Sequence, residues 1–383
     1  MVQKNIRIGI VAAEASGDQL ASHLMGALNK IDPSIIFEGI GGDKMKQQGL
    51  DSWYPMEKLS VMGLVEVLKH LPELLRIRKV LFTRWKQSPP DVFVGVDAPD
   101  FNLGLETKLK AINIPTVHYV CPSIWAWRQG RVKTLKKGVD LILSIFPFEV
   151  PLLAKHDLKS LYAGHPLAQT IDQLPNQLAC RDKYNIAAEQ TVLGLLPGSR
   201  MSEVTQLTDD FLEAALLLSK KVDNLVILAP MATQKIKDYF LESVSRFNNL
   251  NIKILDGESA EVMAASDIML TASGTASLEI MLHKKPMVVA YKVHWLTHFI
   301  LFKLGLVSTK HIAMPNILAN ERIVPELFQE QCTPELLANN LQLLLDDKEN
   351  NQQLHLKFEQ LIAELVDGSI DQAAEAVLGL VKI

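Results

Sequence analysis

Two segments rich in glycine and hydroxyl residues, both in the second half of the chain, carry the residue types of a phosphate site. The first, Leu195–Val204, reads LLPGSRMSEV. An apolar run ends there, Gly198-Ser199 turns, and a helical pattern begins near Ser202. Free backbone amides at a helix start attract phosphate, and the Arg200 guanidinium suits two parallel bonds to it. No GKS or GKT follows, so this is not a Walker loop. The plainer alternative for Ser199 and Arg200 is a strand–helix turn with a surface arginine. The second segment, Thr271–Glu279, reads TASGTASLE. Ser273, Thr275 and Ser277 can donate to phosphate, and Gly274 permits close backbone approach. Glu279, one turn inside, can accept from ribose hydroxyls, as an acidic residue does in dinucleotide folds. The alternative is a helix N-cap with Glu279 as its capping-box partner. Two such loops in one half of the chain point to a nucleotide diphosphate.

The first half supplies carboxylates. In Gly95–Asn102, GVDAPDFN, Asp97 and Asp100 follow an apolar strand. A carboxylate at that edge can lose solvent, which makes it a better proton acceptor; the alternative is that both cap the next helix. Ala12–Asp18, AAEASGD, forms either a second ligand-facing loop or a helix start capped by Ser16. Gly39–Asp43 is glycine-rich but lacks a full GxGxxG, so a dinucleotide cofactor is not expected. His294 and His298 stand four apart, as metal ligands can. They lack the HExxH glutamate and lie among Trp295, Leu296 and Phe299, so an amphipathic or core helix is the better reading and no metal is expected.

These loops need strands to end before them and helices to start after them. Ile6–Ala12, Asp91–Val96, Thr116–Tyr119 and Leu141–Ile145 read as buried strands, with helical stretches such as Gly17–Lys30 and Leu64–Lys86 between. Thr191–Leu196, Leu225–Ala229, Ile252–Leu255, Ile268–Thr271 and Met287–Ala290 restart the rhythm. Strand–helix alternation means parallel sheets covered by helices. The polar segment Asp172–Tyr184 divides the two series, which predicts an α/β chain of two doubly wound domains, residues 1–172 and 185–349. The last 50 residues read as helical, with Thr333-Pro334-Glu335 a helix start. Ligands of such sheets bind beyond the carboxyl ends of the strands, and two facing domains create a cleft.

Composition limits the rest. The 383 residues hold 39 basic and 43 acidic side chains, a net charge of −4, which argues against general nucleic-acid binding. Three separated cysteines, Cys121, Cys180 and Cys332, suggest neither a disulfide scaffold nor a zinc site. The N-terminus imitates a signal peptide, but its apolar stretch, Ile8 to Ala13, is too short and reads as a buried strand. No window is long and apolar enough for a transmembrane helix, so a soluble or peripheral cytoplasmic protein is expected. Two windows hint at a lipid. Residues 66–86 hold six basic and two acidic residues among many leucines, and residues 280–320 hold five lysines, no acid and the apolar run Phe299–Phe302. Apolar anchors beside cations suit an anionic bilayer or an acylated phosphate; the alternative is a buried helix with a solvated basic face.

Tyr119–Arg128, YVCPSIWAWR, is an unusual run. With AEASGD (Ala13–Asp18), DAPDFN (Asp97–Asn102), AGHP (Ala163–Pro166), LPGSR (Leu196–Arg200), SGTASLE (Ser273–Glu279) and PNILA (Pro315–Ala319), in that order, the chain closely resembles the bacterial lipid-A-disaccharide synthases. The resemblance covers nearly the whole chain; Cys121 stands where many relatives are expected to have Ser. It implies a GT-B glycosyltransferase, two Rossmann-like domains facing a cleft, with helices from about residue 350 to 383 packing back on the first domain or exchanged in a homodimer. It implies an inverting, cofactor-free and metal-free reaction of UDP-2,3-diacylglucosamine with 2,3-diacylglucosamine 1-phosphate at the inner face of the inner membrane. On this reading Asp97 is the base, and Ser199, Arg200, Ser273, Thr275, Ser277, Glu279 and Asn316 bind the nucleotide sugar. Glu14, Ser16, Asp100 and Glu321 are further candidates on the cleft walls. The rivals are another GT-B enzyme on UDP-N-acetylglucosamine, a non-catalytic lipid or nucleotide carrier, and a nicotinamide oxidoreductase.

Overall fold

The computed structural model describes residues 5–59, 64–125, 130–247, 249–292 and 310–381, with the side chains of 64–69 left aside. Trp127 and Arg128, the His294/His298 pair and the Phe299–Phe302 run lie outside the described residues. The chain divides into two compact units, Met1–Pro166 with Leu365–Ile383, and Leu167–Glu364.

The first unit holds seven strands: β1 (Arg7–Ala12), β2 (Ile36–Ile40), β3 (Leu50–Tyr54), β4 (Val92–Val96), β5 (Thr116–Tyr119), β6 (Leu141–Ser144) and β7 (Ser160–Tyr162). Their order is β3-β2-β1-β4-β5-β6-β7, all parallel. The second holds β8 (Val192–Leu196), β9 (Val226–Met231), β10 (Ile252–Asp256), β11 (Ile268–Ala272), β12 (Met287–Tyr291) and β13 (Glu326–Phe328), ordered β10-β9-β8-β11-β12-β13 and again parallel. Each sheet starts in its middle, winds one way, then crosses back. The order reverses between β1 and β4 in one unit and between β8 and β11 in the other. Loops leaving those four strands splay apart and open a crevice at the carboxyl edge.

The central strands are almost wholly buried because helices cover both faces. β4, β8 and β11 have no exposed residue, which is why they read as unbroken apolar runs. The strands not predicted, β2, β3, β7 and β13, are short or carry polar residues. β2 contains Glu38, which is buried because Arg7 pairs with it at 2.9 Å and the Trp85 indole donates to it at 2.8 Å. One face of the first sheet packs against the helix Ala15–Ile31, and the C-terminal helix Ile370–Leu378 lies on the same side through Ala373, Ala374 and Val377. Ile77, Leu81 and Trp85 cover the other face with Leu105 and Leu109.

The polar stretch expected to link the domains is instead folded. Asn176 caps a helix, Gln177–Lys183, by accepting from the amides of Leu178 and Ala179. Arg181 in that helix donates to Ala265 O at 3.0 Å and pairs with Asp267 at 2.6 Å, which staples the segment into the second unit. The division therefore falls near Pro166, and the chain returns to the first unit at Leu365.

Candidate active site

In the second unit, β8 stops at Leu196 and Gly198 takes a φ of 128°, a backbone open to glycine and hard for other residues. The helix Met201–Ser219 then starts with Arg200 at its N-cap. Glu203, in the first turn, turns back on the loop. Its carboxylate accepts from the Ser199 amide at 3.3 Å and from Arg200 Nη1 at 3.0 Å. The Arg200 side chain stays two-thirds exposed. β11 stops at Ala272, Ser273 and Gly274 turn, and the helix Thr275–Leu282 begins. The two loops converge on one cavity of about 430 Å³, which Ser199, Arg200, Ser273, Gly274, Thr275 and Glu279 line. Burial pushes the Glu279 carboxyl up from its ordinary range.

The structure separates the predicted residues into those that face the cavity and those that shape it. Ser273 lines the cavity, but its hydroxyl donates to Ile312 O at 2.8 Å. Ser277 is fully buried; it donates to Gly274 O at 2.8 Å and accepts from the Met314 amide at 3.1 Å. The capping box expected as the alternative does not form, since the third helical residue is Ser277 and Glu279 lies beyond it. Asn316, expected at phosphate, is not among the residues that line this cavity. It is fully buried, its Nδ2 donates to Val324 O and Glu326, and its Oδ1 accepts from the amides of Ile323 and Val324. Glu326 in turn accepts from the amides of Ile312 and Ala313. Asn316 thus holds the segment on which Ser273 rests. Glu321 is exposed and borders neither cavity described here.

In the first unit, a second cavity of about 330 Å³ opens beyond β1 and β4. Glu14, Asp97, Asp100 and Arg78 share its wall with Leu59, Leu71, Leu74 and Leu75. Asp97 and Ala98 both have left-handed backbones, with φ of 50° and 41°. Each such non-glycine residue costs on the order of 1–3 kcal/mol, and that strain gathers at functional sites. Val120, at the end of neighbouring β5, has a φ of 78°, an outlier for a β-branched residue. The helix Pro99–Lys110 has Ala98 at its N-cap and no side-chain cap, so neither Asp serves the capping role. Asp100 pairs with Arg131 at 2.7 Å. Ser16 is exposed in the first turn of its helix and is not the cap, a position that Glu14 takes. Asp18 of the same motif is buried and accepts from the amides of Gly42, Lys44 and Met45, so it caps the short helix Asp43–Gln47.

Two groups escaped prediction. Arg78 shares the second cavity; its helix read as an apolar and basic window suited to a lipid, or as a buried helix with a basic face, with Arg78 not singled out. Glu149 is buried beside Ser144 and accepts from the Trp125 indole at 3.1 Å; burial pushes its carboxyl up to about 7. It anchors the start of the tryptophan-rich segment. Among the described residues, no three His, Cys, Asp or Glu side chains cluster as a metal site.

A family model described as lipid-A-disaccharide synthetase matches residues 8–377. The chain belongs to this family. A Pseudomonas aeruginosa lipid-A-disaccharide synthase is 46% identical over 377 residues, 98% of each chain. One from Dechloromonas aromatica is 42% identical, covering 97% of this chain and 98% of the relative. Solved structures share the fold at far lower identity. A putative UDP-N-acetylglucosamine 2-epimerase from Listeria monocytogenes superposes with a TM-score of 0.62 at 11% identity, over 98% of this chain and 95% of that one. The glycotransferase of kitacinnamycin gives 0.62 at 13%, over 99% and 100%. The GT-B architecture is therefore common to transferases and epimerases, and membership in the synthase family makes this chain a glycosyltransferase of lipid A biosynthesis. No helix of the described residues is long and apolar enough to cross a membrane.

Proposed function

We propose that this chain joins UDP-2,3-diacylglucosamine to 2,3-diacylglucosamine 1-phosphate, giving the β-1,6-linked lipid A disaccharide 1-phosphate and UDP. The observation that carries the reading is the meeting of Ser199-Arg200 and Ser273–Glu279 on one cavity, in a chain of this family. The diphosphate lies against Arg200 and the amides of both helix starts, and the ribose against Glu279. The acceptor's 6-hydroxyl oxygen attacks the anomeric carbon from the side opposite UDP. The bond from that carbon to the diphosphate oxygen breaks, and the hydroxyl proton goes to Asp97. Negative charge that develops on the leaving diphosphate is met by Arg200 and the helix-start amides once the diphosphate has displaced Glu203 from them, which is electrostatic stabilisation.

The leucine-lined cavity beside Asp97 supports an acylated acceptor. The same helix, Leu64–Gln87, leaves Leu71, Leu75 and Val80 exposed beside Arg76, Lys79, Arg84 and Lys86. Apolar anchors among cations suit peripheral attachment to the anionic inner face of the inner membrane.

The deciding experiment is mass spectrometry of products from the two acylated glucosamines. The expected result is the disaccharide 1-phosphate with one UDP for each bond made. Binding of both substrates without release of UDP would favour a carrier instead.

A further inference from the structure

Beneath the Asp97 backbone lies a buried polar group that lines neither cavity. The helix Pro99–Lys110 sets Asn102 and Glu106 one turn apart, and neither has any exposed surface. β5 presents His118, also fully buried, with Nδ1 at 2.7 Å from Glu106 Oε1. Gly95 on β4, opposite His118 in register, makes the room. A Cβ there would lie 2.2 Å from Glu106 Oε1 and 2.9 Å from Asn102 Cβ. Asn102 Nδ2 donates to Asp97 O at 2.9 Å and to Val96 O at 3.2 Å, with Val11 O at 3.4 Å. One amide thus ties the strained Asp97–Ala98 backbone to the ends of β1 and β4.

Three atoms of the group have no partner among the described residues: Asn102 Oδ1, Glu106 Oε2 and His118 Nε2. The Asn102 amide is fixed in direction by the carbonyls that its Nδ2 faces, so Oδ1 is an acceptor in want of a donor. Glu106 Oε2 is another when ionised. Burial raises the Glu106 carboxyl and His118 opposes that rise. Native proteins meet such buried atoms with protein or ordered water, because an unmet one is costly.

We propose that Asn102, Glu106 and His118, completed by internal water on their three open atoms, are positioning residues that hold Asp97 in its reactive conformation. The effect runs from the Asn102 nitrogen to the Asp97 carbonyl, with Glu106 one helical turn below Asn102 and held by His118, and water fills the open positions of the group. The proposal rests on Asp97 being the base.

The test compares Asn102→Asp, Glu106→Gln and Asp97→Asn with the parent enzyme for kcat, donor KM, UDP affinity by calorimetry and unfolding midpoint. Asn102→Asp sets a carboxylate against three carbonyl oxygens. Loss of positioning should cost kcat about 10²-fold there and about tenfold in Glu106→Gln. UDP affinity and donor KM should stay unchanged in both, since the nucleotide cavity belongs to the other unit. A general loss of structure would instead lower the unfolding midpoint and UDP affinity with kcat. Should Asn102→Asp not fold, Glu106→Gln decides alone: folded protein with kcat within about twofold of the parent overturns the proposal. A crystal structure of the parent enzyme showing the three atoms dry overturns it as well. Asp97→Asn keeps the two readings apart. If it retains turnover, the base assignment fails and this proposal with it; if it alone loses turnover, only the positioning proposal fails.

Discussion

Arg200 and Glu203 form a small latch at the loop they share. The guanidinium and the Ser199 amide both rest on one carboxylate, and a diphosphate would replace that carboxylate with a stronger, doubly bonding anion. Exposed ion pairs are weak, so opening this one costs little against the new contacts. Arg200→Ala should therefore weaken UDP about 10–100-fold, the usual scale for a lost charged hydrogen bond of 1.5–3 kcal/mol. Calorimetry with UDP reads it directly, and unchanged affinity would contradict the assignment. Glu149 gives a prediction in pH. Its carboxyl stands near 7 in the folded chain against 4.5 ordinarily, because burial disfavours the charge. Between those values the folded chain keeps a proton that the unfolded chain has released. Stability from this group is therefore highest below about pH 4.5 and falls until about pH 7, by up to about 1.4 kcal/mol per pH unit. Glu149→Gln should remove that slope. Urea unfolding at pH 5 and pH 8 checks it, and a difference between the two proteins that does not change with pH counts against it.

At the scale of elements, the helix Leu64–Gln87 shows how one sequence pattern serves two surfaces. Ile77, Leu81 and Trp85 face the sheet; Leu71 and Leu75 flank that face, half-exposed at the wall of the Asp97 cavity, and Val80 lies on the opposite flank. Leu71 and Leu75 leave a half-exposed apolar rim beside that cavity, which an anionic bilayer surface would cover. Leu71→Ser with Leu75→Ser should reduce binding to anionic vesicles about tenfold or more, given roughly 1 kcal/mol for each half-exposed leucine. Fold stability should fall too, by roughly 1 kcal/mol for each leucine, since more than half of each side chain is covered in the folded chain, so vesicle binding is compared at a temperature where both proteins are folded. Added salt should weaken the remaining binding through screening of the basic residues. Sedimentation with vesicles at two salt concentrations measures both effects, and equal binding by the variant and parent would remove this helix as the anchor.

At the scale of the whole molecule, the same winding occurs twice, and each time the reversal of strand order opens the crevice that holds the candidate residues. The chain leaves the first unit near Pro166 and returns at Leu365, so the last helix completes a core begun by the first. The amino-acid sequence by itself determined the alternation of strands and helices, because strands buried on both faces must be continuously apolar. It also marked the turns after β8, β11 and β4 that carry Ser199-Arg200, Ser273–Glu279 and Asp97, because glycine and hydroxyl residues punctuate an apolar run where a strand gives way to a helix. Only the tertiary structure decided what each polar residue faces. Asn316 and Ser277 carry the right chemistry for phosphate but spend it on backbone amides and carbonyls that fold in from elsewhere. Asp18 and Asn102, which the sequence shows only as members of two motifs, are a cap and a backbone tie. Edge strands such as β3 and β7 also stayed hidden, since one neighbour and a partly wet face leave little apolar signature. A hydrogen-bonding side chain does not announce its partner; that partner is chosen by packing between segments far apart in sequence.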